Sequence, residues 1–414
     1  MADADVVIVG AGLAGLTCAR ATAAAGLATV VLEAGDDVGG RVRTDVVDGH
    51  RLDRGFQILL TAYPEVGAAL DLDALGLCQF DPGSKVWTGQ ALQHVADPFR
   101  QPAALLDSAR ADVGSLGDKL RIARLRRRLL ATPAVRLLQA PDRSAREALE
   151  AEGFSAEMID RFFRPLLGGI QLDPSLASSA RMSEVIFRTL ALGDAAVPAH
   201  GMQAIPHQLA AALPAGTVRT DSPVARLDGT SAVLPDGTRI EGRALVVATE
   251  GPAAAALLGL PEPGSRAVSA LWFTADEAPV PGRSIVLDGI GSGPVLNLAV
   301  LSEVAPSYAP AGRSLIAAAC PGPARPDLEG EARSQLRGWF GSMVDSWELL
   351  RRDDIAHGQP AAVPPFAPKR AVALGSGRYV AGDHRDTPSI QGAMFSGRRC
   401  GELVAAHLGT IPGA

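Results

Sequence analysis

Val6-Val7-Ile8-Val9-Gly10-Ala11-Gly12-Leu13-Ala14-Gly15 is the stretch that decides how this chain is read. Val6 to Val9 is continuously apolar and mostly β-branched, which predicts a parallel strand buried on both faces. Gly10 to Gly15 breaks the run. Leu16 to Gly26 is alanine-rich and predicts a helix that stops at Gly26. Thr29 to Leu32 predicts a second strand, closed by Glu33. A lone G-x-G-x-x-G says little in a chain with 45 glycines, but here a strand precedes it, a helix follows and a carboxylate ends the next strand. Gly10 permits the tight turn, Gly12 leaves room for a pyrophosphate, and Gly15 lets the helix pack closely on the strand. The helix start at Leu13 and Ala14 offers unpaired N–H groups to phosphates. Glu33 can accept from ribose hydroxyls and would repel a 2′-phosphate. The unit reads as a dinucleotide site.

The 414 residues suffice for two or three domains with a sizeable core. Mean hydropathy is +0.15, too apolar for a disordered chain. Net charge is −6, which argues against nucleic-acid partners, because they require a basic face. The four cysteines (Cys18, Cys78, Cys320, Cys400) have neither metal spacing nor a C-x-x-C pair. No metal site is expected, and a reduced, cytoplasmic setting is. No signal peptide or 18-residue apolar span is visible. Three lysines (Lys85, Lys119, Lys369) and three tyrosines are unusually few.

Between Asp97 and Gln208 proline-punctuated stretches predict mostly helix. Strand and turn signals occupy Thr217 to Thr249, with Pro235-Asp236-Gly237 as a turn. Four strands are predicted at Ala267–Phe273, Ser284–Leu287, Val295–Leu301 and Ser314–Ala319, then an amphipathic helix over Asp327–Trp347. A last strand at Tyr379–Ala381 leads to a helix from Ser389 to Leu408.

Glu33 is followed by Ala34-Gly35-Asp36-Asp37-Val38-Gly39-Gly40-Arg41, and the far end reads Tyr379-Val380-Ala381-Gly382-Asp383 and Ser389-Ile390-Gln391-Gly392-Ala393. Together these resemble the flavin-containing amine oxidase, phytoene desaturase and protoporphyrinogen oxidase superfamily. The resemblance covers roughly residues 5–60, 200–255 and 375–410. It implies an α/β fold: a discontinuous Rossmann-type, GR2-like FAD-binding domain (1–84, 200–255 and 371–414) with an α+β substrate domain (85–199 and 256–370). It implies FAD, held by Gly10, Gly12, Leu13, Ala14, Gly15, Glu33, Ala34, Gly39, Gly40, Arg41, Val224, Gly382, Asp383, Gln391, Gly392 and Ala393. Gly39, Gly40 and Arg41 would approach the pyrophosphate or flavin, Val224 the adenine, Asp383 the ribityl hydroxyls, and N–H groups near Gly392 the pyrimidine end. The link is expected to be non-covalent, since Asp353-Asp354 stand where family members with a cysteinyl bond carry the cysteine.

The same resemblance frames the chemistry. Family amine oxidases hold the amine between aromatic rings, with a lysine–water bridge to the flavin. No lysine occurs from Ser284 to Ala319. Oxidation or desaturation of a large apolar molecule needs mainly orientation in an apolar channel. Leu166–Ile170, Gly201–Pro206 and Gln57–Leu60 resemble stretches of that branch, and equally fit ordinary core. An amine oxidase, a redox-neutral FAD-dependent isomerase and a non-catalytic flavin-binding protein stay open. His384 and Gln57 are the catalytic candidates, each also readable as structural. Residues 111–138 read either as an exposed helix with solvated arginines or as a basic amphipathic helix making peripheral contact with anionic lipid. In the second reading Leu116, Leu120, Ala123, Leu129 and Leu130 line its apolar side. Oligomeric state is not legible.

Overall fold

The computed structural model describes residues 2–409. Residue 1 and residues 410–414, at the ends of the 1–84 and 371–414 segments, lie outside the described residues. The strand β1 (Ala4–Val9), the helix α1 (Leu13–Ala24) and the strand β2 (Thr29–Leu32) form the expected βαβ unit. β1 lies between β2 and β3 (Arg239–Val247), parallel to both. β4 (Arg378–Val380) extends the parallel sheet beside β3, and Val218–Arg219 extends it beside β2. β3 alternates exposed and buried residues over its first half and is continuously buried from Ala244 to Val247. The change has a cause in pairing. The first half forms an antiparallel hairpin with Ser231–Val233, and the second half enters the parallel sheet, where both faces are covered.

A second sheet has seven strands, ordered Glu348–Pro360, Ser265–Ala275, Ser314–Pro321, Asn297–Val300, Ile285–Asp288, Gly83–Trp87 and Leu92–Ala96. Side-chain alternation divides its faces. Ala270, Trp272, Ala299 and Ala317 join the core that surrounds β1 and α1. Leu271, Phe273, Leu298, Ile316 and Ala318 point the other way, onto the helix Leu328–Phe340. Helices between residues 105 and 192 enclose a third core around Phe154, Met158, Phe162 and Phe163.

Three expectations change, the first being the helix expected over Asp327–Trp347, which ends at Phe340 because Gly341 turns the chain at φ +72°. The basic helix runs only from Leu116 to Ala131, started by a Ser115–Asp118 capping box and stopped ahead of Pro133. Its apolar side also differs from the expected one: Leu125 and Leu129 are buried, whereas Leu116 and Leu120 face outward. The longest strand, Glu348–Pro360, was invisible to hydropathy because it is an edge strand, paired only with Ser265–Ala275 and half-exposed throughout.

The α2 helix (Ile390–His407) packs against α1 with almost no space between the backbones. A Cβ at Gly397 would fall 2.1 Å from the Ala14 carbonyl oxygen, and one at Gly401 2.6 Å from that of Cys18. Gly338, inside a helix with nothing within 4 Å, is the control. Chemical denaturation of Gly397→Ala should show a loss of about 1–3 kcal/mol. Gly338→Ala should be neutral or gain about 0.5–1 kcal/mol, as alanine suits a helix interior better.

Candidate active site

The glycine loop after β1 has the three properties its sequence implied. Gly10 sits at φ +101°, closed to ordinary side chains. A Cβ at Gly15 would fall 1.9 Å from the Gly10 carbonyl oxygen, so only glycine lets the helix start this close to the turn. At Gly12 a Cβ would meet nothing nearer than the Gly39 carbonyl oxygen at 4.0 Å, so the loop is open there. α1 has no side-chain cap and no acidic residue in its first turn, which leaves the positive end of its dipole unneutralised at Leu13 and Ala14. The Glu33 carboxylate accepts from the Ala11 N–H at 2.7 Å and the Gly35 N–H at 2.9 Å, which fixes it at the edge of the loop beside exposed Ala34. The Asp221 and Ser222 N–H groups donate to the Gly35 and Glu33 carbonyls, placing the approach to Val224 at this same end. Val224 packs there on the apolar group of Val7, Val9, Val30 and Leu32.

Gly39-Gly40-Arg41 lies directly against this loop. The Gly39 N–H donates to the Ala11 carbonyl at 2.9 Å, with Gly39 and Gly40 both at positive φ. Arg41 Nη2 meets Asp383 Oδ2 at 2.7 Å, and Nη1 donates to the Gly358 carbonyl at 2.8 Å. Burial opposes the guanidinium charge, yet the buried Asp383 carboxylate keeps its pKa above the ordinary value. Gln57 Nε2 donates to the carbonyls of Arg41 and Arg54, at 2.8 and 2.9 Å. Its amide hydrogens are thereby committed to bracing the Arg41 loop.

The C-terminal motif closes the same end of the sheet. Gly382 has φ +151° and donates its N–H to Ser396 Oγ at 3.0 Å. Gly392 donates to the Ser389 hydroxyl at 3.1 Å and Ala393 to the Ser389 carbonyl at 3.0 Å. Both N–H groups are engaged by the α2 cap, at the helix start whose N–H groups the resemblance places toward the pyrimidine end of the flavin. Gln391 Oε1 accepts from the Glu65 N–H at 2.9 Å. Thr17 Oγ1 donates to the Met394 carbonyl at 3.1 Å, tying this helix start to α1.

The structure thus brings Gly10–Gly15, Glu33, Gly39–Arg41 and Gly382–Asp383 together, with Val224 at the outer end and Gln391–Ala393 at the start of α2. Gln203 was not anticipated. Its Nε2 donates to Asp37 at 2.6 Å and its Oε1 accepts from Thr44 at 3.1 Å, pinning the loop from the side. Nothing local to Gly201–Pro206 signals that contact, which joins residues 166 apart in sequence. An open glycine face, an uncapped helix, a fixed carboxylate and a braced arginine fit a flavin dinucleotide. Among the described residues no three His, Cys, Asp or Glu side chains are placed to hold a metal, and no helix is long and apolar enough to cross a membrane.

The sequence pattern of the family described as "Flavin containing amine oxidoreductase" matches residues 13–405. A phytoene desaturase of Fusarium fujikuroi is 32% identical over 91 residues, 20% of this chain and 16% of that one. A coproporphyrinogen III oxidase of Mycobacterium leprae is 32% identical over 180 residues, 41% of this chain and 38% of that one. The matches therefore span well under half the length of these curated relatives. The crystal structure of an oxidoreductase from Methanosarcina mazei aligns with a TM-score of 0.73 at 18% identity, over 95% of this chain and 99% of that one. That likeness speaks for the fold.

His384 lies against Gly382, where a Cβ would fall 2.4 Å from its ring. Burial pushes its pKa down to about 4, so the imidazole is neutral at pH 7. The unfolded chain takes up this proton near pH 6.5 and the folded one only near 4, so the stability this provides above pH 6.5 is lost as pH falls through 4. Denaturation at pH 7 and pH 4.5 should show that His384→Asn removes about 2–3 kcal/mol of the pH dependence in that interval. An unchanged pH profile would mean that His384 is solvated.

Proposed function

The chain belongs to the flavin containing amine oxidoreductase family and its cofactor is FAD; on that premise we propose that it oxidises or desaturates an apolar small molecule. The observation that carries this reading is the engagement of every lysine and tyrosine. Lys85 Nζ donates to the Pro281 carbonyl at 2.6 Å, Lys119 Nζ to those of Ala109 and Ala111, and Lys369 lies 5.2 Å from the Phe395 ring centre. Tyr308 donates to Asp53 at 3.0 Å, Tyr379 is paired with His407 at 2.7 Å, and Tyr63 is buried in the main core. Neither a tyrosine nor Lys85 or Lys119 is left to form an aromatic cage or a lysine–water relay for an amine, and Lys369 stands at an exposed position. Residues 1–84, 200–255 and 371–414 serve as the FAD-binding unit in this reading, and 85–199 with 256–370 as the substrate unit.

FAD supplies the two-electron acceptor, at N5 of its isoalloxazine ring. The chain's own residues position and enclose. When FAD is bound, Gly12 and the α1 start would take the pyrophosphate, Glu33 the adenosine ribose and Asp383 the ribityl chain, while Arg41 would balance the phosphate charge. Gln57 keeps the Arg41 loop in place. His384, neutral at pH 7, carries no proton to donate as an imidazolium. Non-covalent binding is part of this reading, since Asp353 and Asp354, which accept from Trp272 Nε1 at 2.9 Å and from Ser269, carry no thiol.

Arg41→Ala should weaken FAD binding about 10- to 100-fold, the cost of losing one charge-assisted contact, in a titration of apoprotein by flavin fluorescence. Anaerobic mixing with polyenes, tetrapyrroles and amines then tests the substrate class. Bleaching of the flavin band by an apolar compound supports the proposal. Peroxide release with amines alone would replace it by amine oxidation. A product of unchanged mass, formed only after the flavin is reduced, would make the protein an isomerase.

The same reading gives an apolar substrate a route in from a lipid surface. Leu116 and Leu120 are 65% and 74% exposed, on one stripe of the basic helix with exposed Arg124 and Arg127. Arg128 is committed elsewhere, to Glu184 at 2.8 Å and Glu152 at 3.1 Å. Flotation with anionic liposomes should recover the wild type and lose Arg124→Glu/Arg127→Glu. Equal recovery of the two would leave this helix merely solvated.

A further inference from the structure

Among the described residues the side chain of Asn297 has nothing to bond. It lies in the strand Asn297–Val300 and is 7% exposed. Its Oδ1 is buried without a partner, and no group among the described residues accepts from its Nδ2. A buried amide in this state is unfavourable, and a leucine of similar size would remove the penalty. The chain nevertheless makes room for it. Gly168 and Gly169 follow one another in the helix Arg164–Ile170, and a Cβ at Gly169 would fall 1.9 Å from Asn297 Nδ2. Glycine weakens a helix relative to alanine, so this helix forgoes stability where it passes over the amide.

The amide stands on the face of the second sheet that looks toward the core around β1 and α1. Leu298 faces the opposite core, whereas Asn297 shares its face with Ala299. In the row of directly paired residues Asn297, Ala319, Ala270 and Asp353, the two between the polar ends carry only a methyl group.

The turn above the amide leads to the cofactor site. The Ile170 carbonyl accepts from Gln359 Nε2 at 3.0 Å, and the adjacent Gly358 carbonyl accepts from Arg41 Nη1 at 2.8 Å. Leu172 is packed on Gly358, where a Cβ would fall 2.7 Å from its Cδ1. Leu172 holds φ +52°, a conformation that leucine resists. The neighbouring Asp173 fixes the turn: its buried carboxylate accepts from the Ser178 N–H and hydroxyl, both at 2.7 Å, and from Arg266 at 3.2 Å. Ile170, Leu172 and Ile355 belong to none of the apolar cores, and Ile355 lies against Gly55 on the same side as Gln57 and Arg41.

We propose, resting on the apolar-substrate reading, that Asn297 is a specificity-determining residue: its carboxamide bonds a carbonyl oxygen on an otherwise apolar substrate whose skeleton lies against Ile170, Leu172 and Ile355. An uncharged amide matches an uncharged acceptor, and a carboxylate buried there would need a cation as well. Rotation of the amide exchanges its donor and acceptor ends, so a single oxygen converts an uncompensated group into a paired one. A polar group buried for one partner also rejects an analogue that lacks the matching atom, which an apolar wall cannot do.

The test titrates the FAD-loaded protein by calorimetry with naphthalene and 2-acetylnaphthalene, which differ by one carbonyl-bearing group. The ketone should bind about tenfold or more tightly than the hydrocarbon. Asn297→Leu should weaken the ketone about tenfold and leave naphthalene unchanged or tighter, with FAD content and visible spectrum unchanged. Its melting temperature should stay or rise, because an unpaired buried amide has been replaced by an apolar group. Gly169→Ala, which pushes the amide from its place, should weaken the ketone by a smaller factor and serves if Asn297→Leu does not fold. Equal affinity of the wild type for the two compounds, binding of neither, or undiminished ketone binding by both variants overturns the proposal. So does a lowered melting temperature of Asn297→Leu, which would make the amide structural. Failure of the apolar-substrate reading is told apart at the flavin band, which no apolar compound would then bleach, whatever these affinities are.

Discussion

The architecture rests on backbone approaching backbone around α1, at distances that no side chain tolerates. Gly15 lets the helix begin against the carbonyl of Gly10, and Gly397 and Gly401 let α2 lie on the opposite flank against the carbonyls of Ala14 and Cys18. The Gly39 N–H reaches the Ala11 carbonyl from a third direction. The approaches at Gly15, Gly397 and Gly401 depend on the absence of a Cβ, and a Cβ at Gly39 would fall 2.3 Å from the Val42 carbonyl oxygen. The consequence is functional as well as structural: the starts of α1 and α2, 377 residues apart in sequence between Thr17 and Met394, are held in hydrogen-bond contact. Close packing positions the cofactor's anchoring points before any ligand arrives.

Charge does the cross-bracing, and arginine rather than lysine carries it. Of 39 basic residues three are lysine, so 39 − 3 = 36 are arginine. A planar fork can satisfy carboxylate and carbonyl acceptors from different elements at once, which an ammonium does less directionally. Arg351 shows this best. It meets Asp45 at 2.7 Å and Asp353 at 2.9 Å and donates to the Asp53 carbonyl at 3.1 Å, so one side chain joins the Thr44–Asp53 hairpin to the edge strand of the second sheet. Asp53 itself accepts from Thr44, Met202 and Tyr308, and burial nevertheless pushes its pKa up to about 6. The joint between the two sheets is polar and buried, and its donors are matched to it.

Legibility followed sequence distance. The βαβ unit and α2 were readable because their signals are local: a β-branched run, a glycine turn, a helix with a serine cap. Glu348–Pro360 escaped because an edge strand with Arg351-Arg352-Asp353-Asp354 has no apolar period to detect. The basic helix was over-extended because its pattern continues past Pro133 while its backbone does not. Gln57 shows the same limit at the site, since residue type cannot distinguish a glutamine that touches substrate from one bracing two carbonyls.

Gly10 to Gly15 and Glu33 were enough by themselves to specify a dinucleotide fold, because each meets a requirement written in a few neighbouring residues, and the resemblance carried by Gly39 to Arg41 and Gly382-Asp383 made that dinucleotide a flavin. What surrounds that fold was decided only in three dimensions. The Arg41–Asp383 pair, the engagement of every lysine and tyrosine, the neutrality of His384 and the unpaired amide of Asn297 all depend on burial and on partners distant in sequence. The energy of a charge or a hydrogen bond is set by what stands next to it in space, and neighbours in space are what a linear sequence does not list.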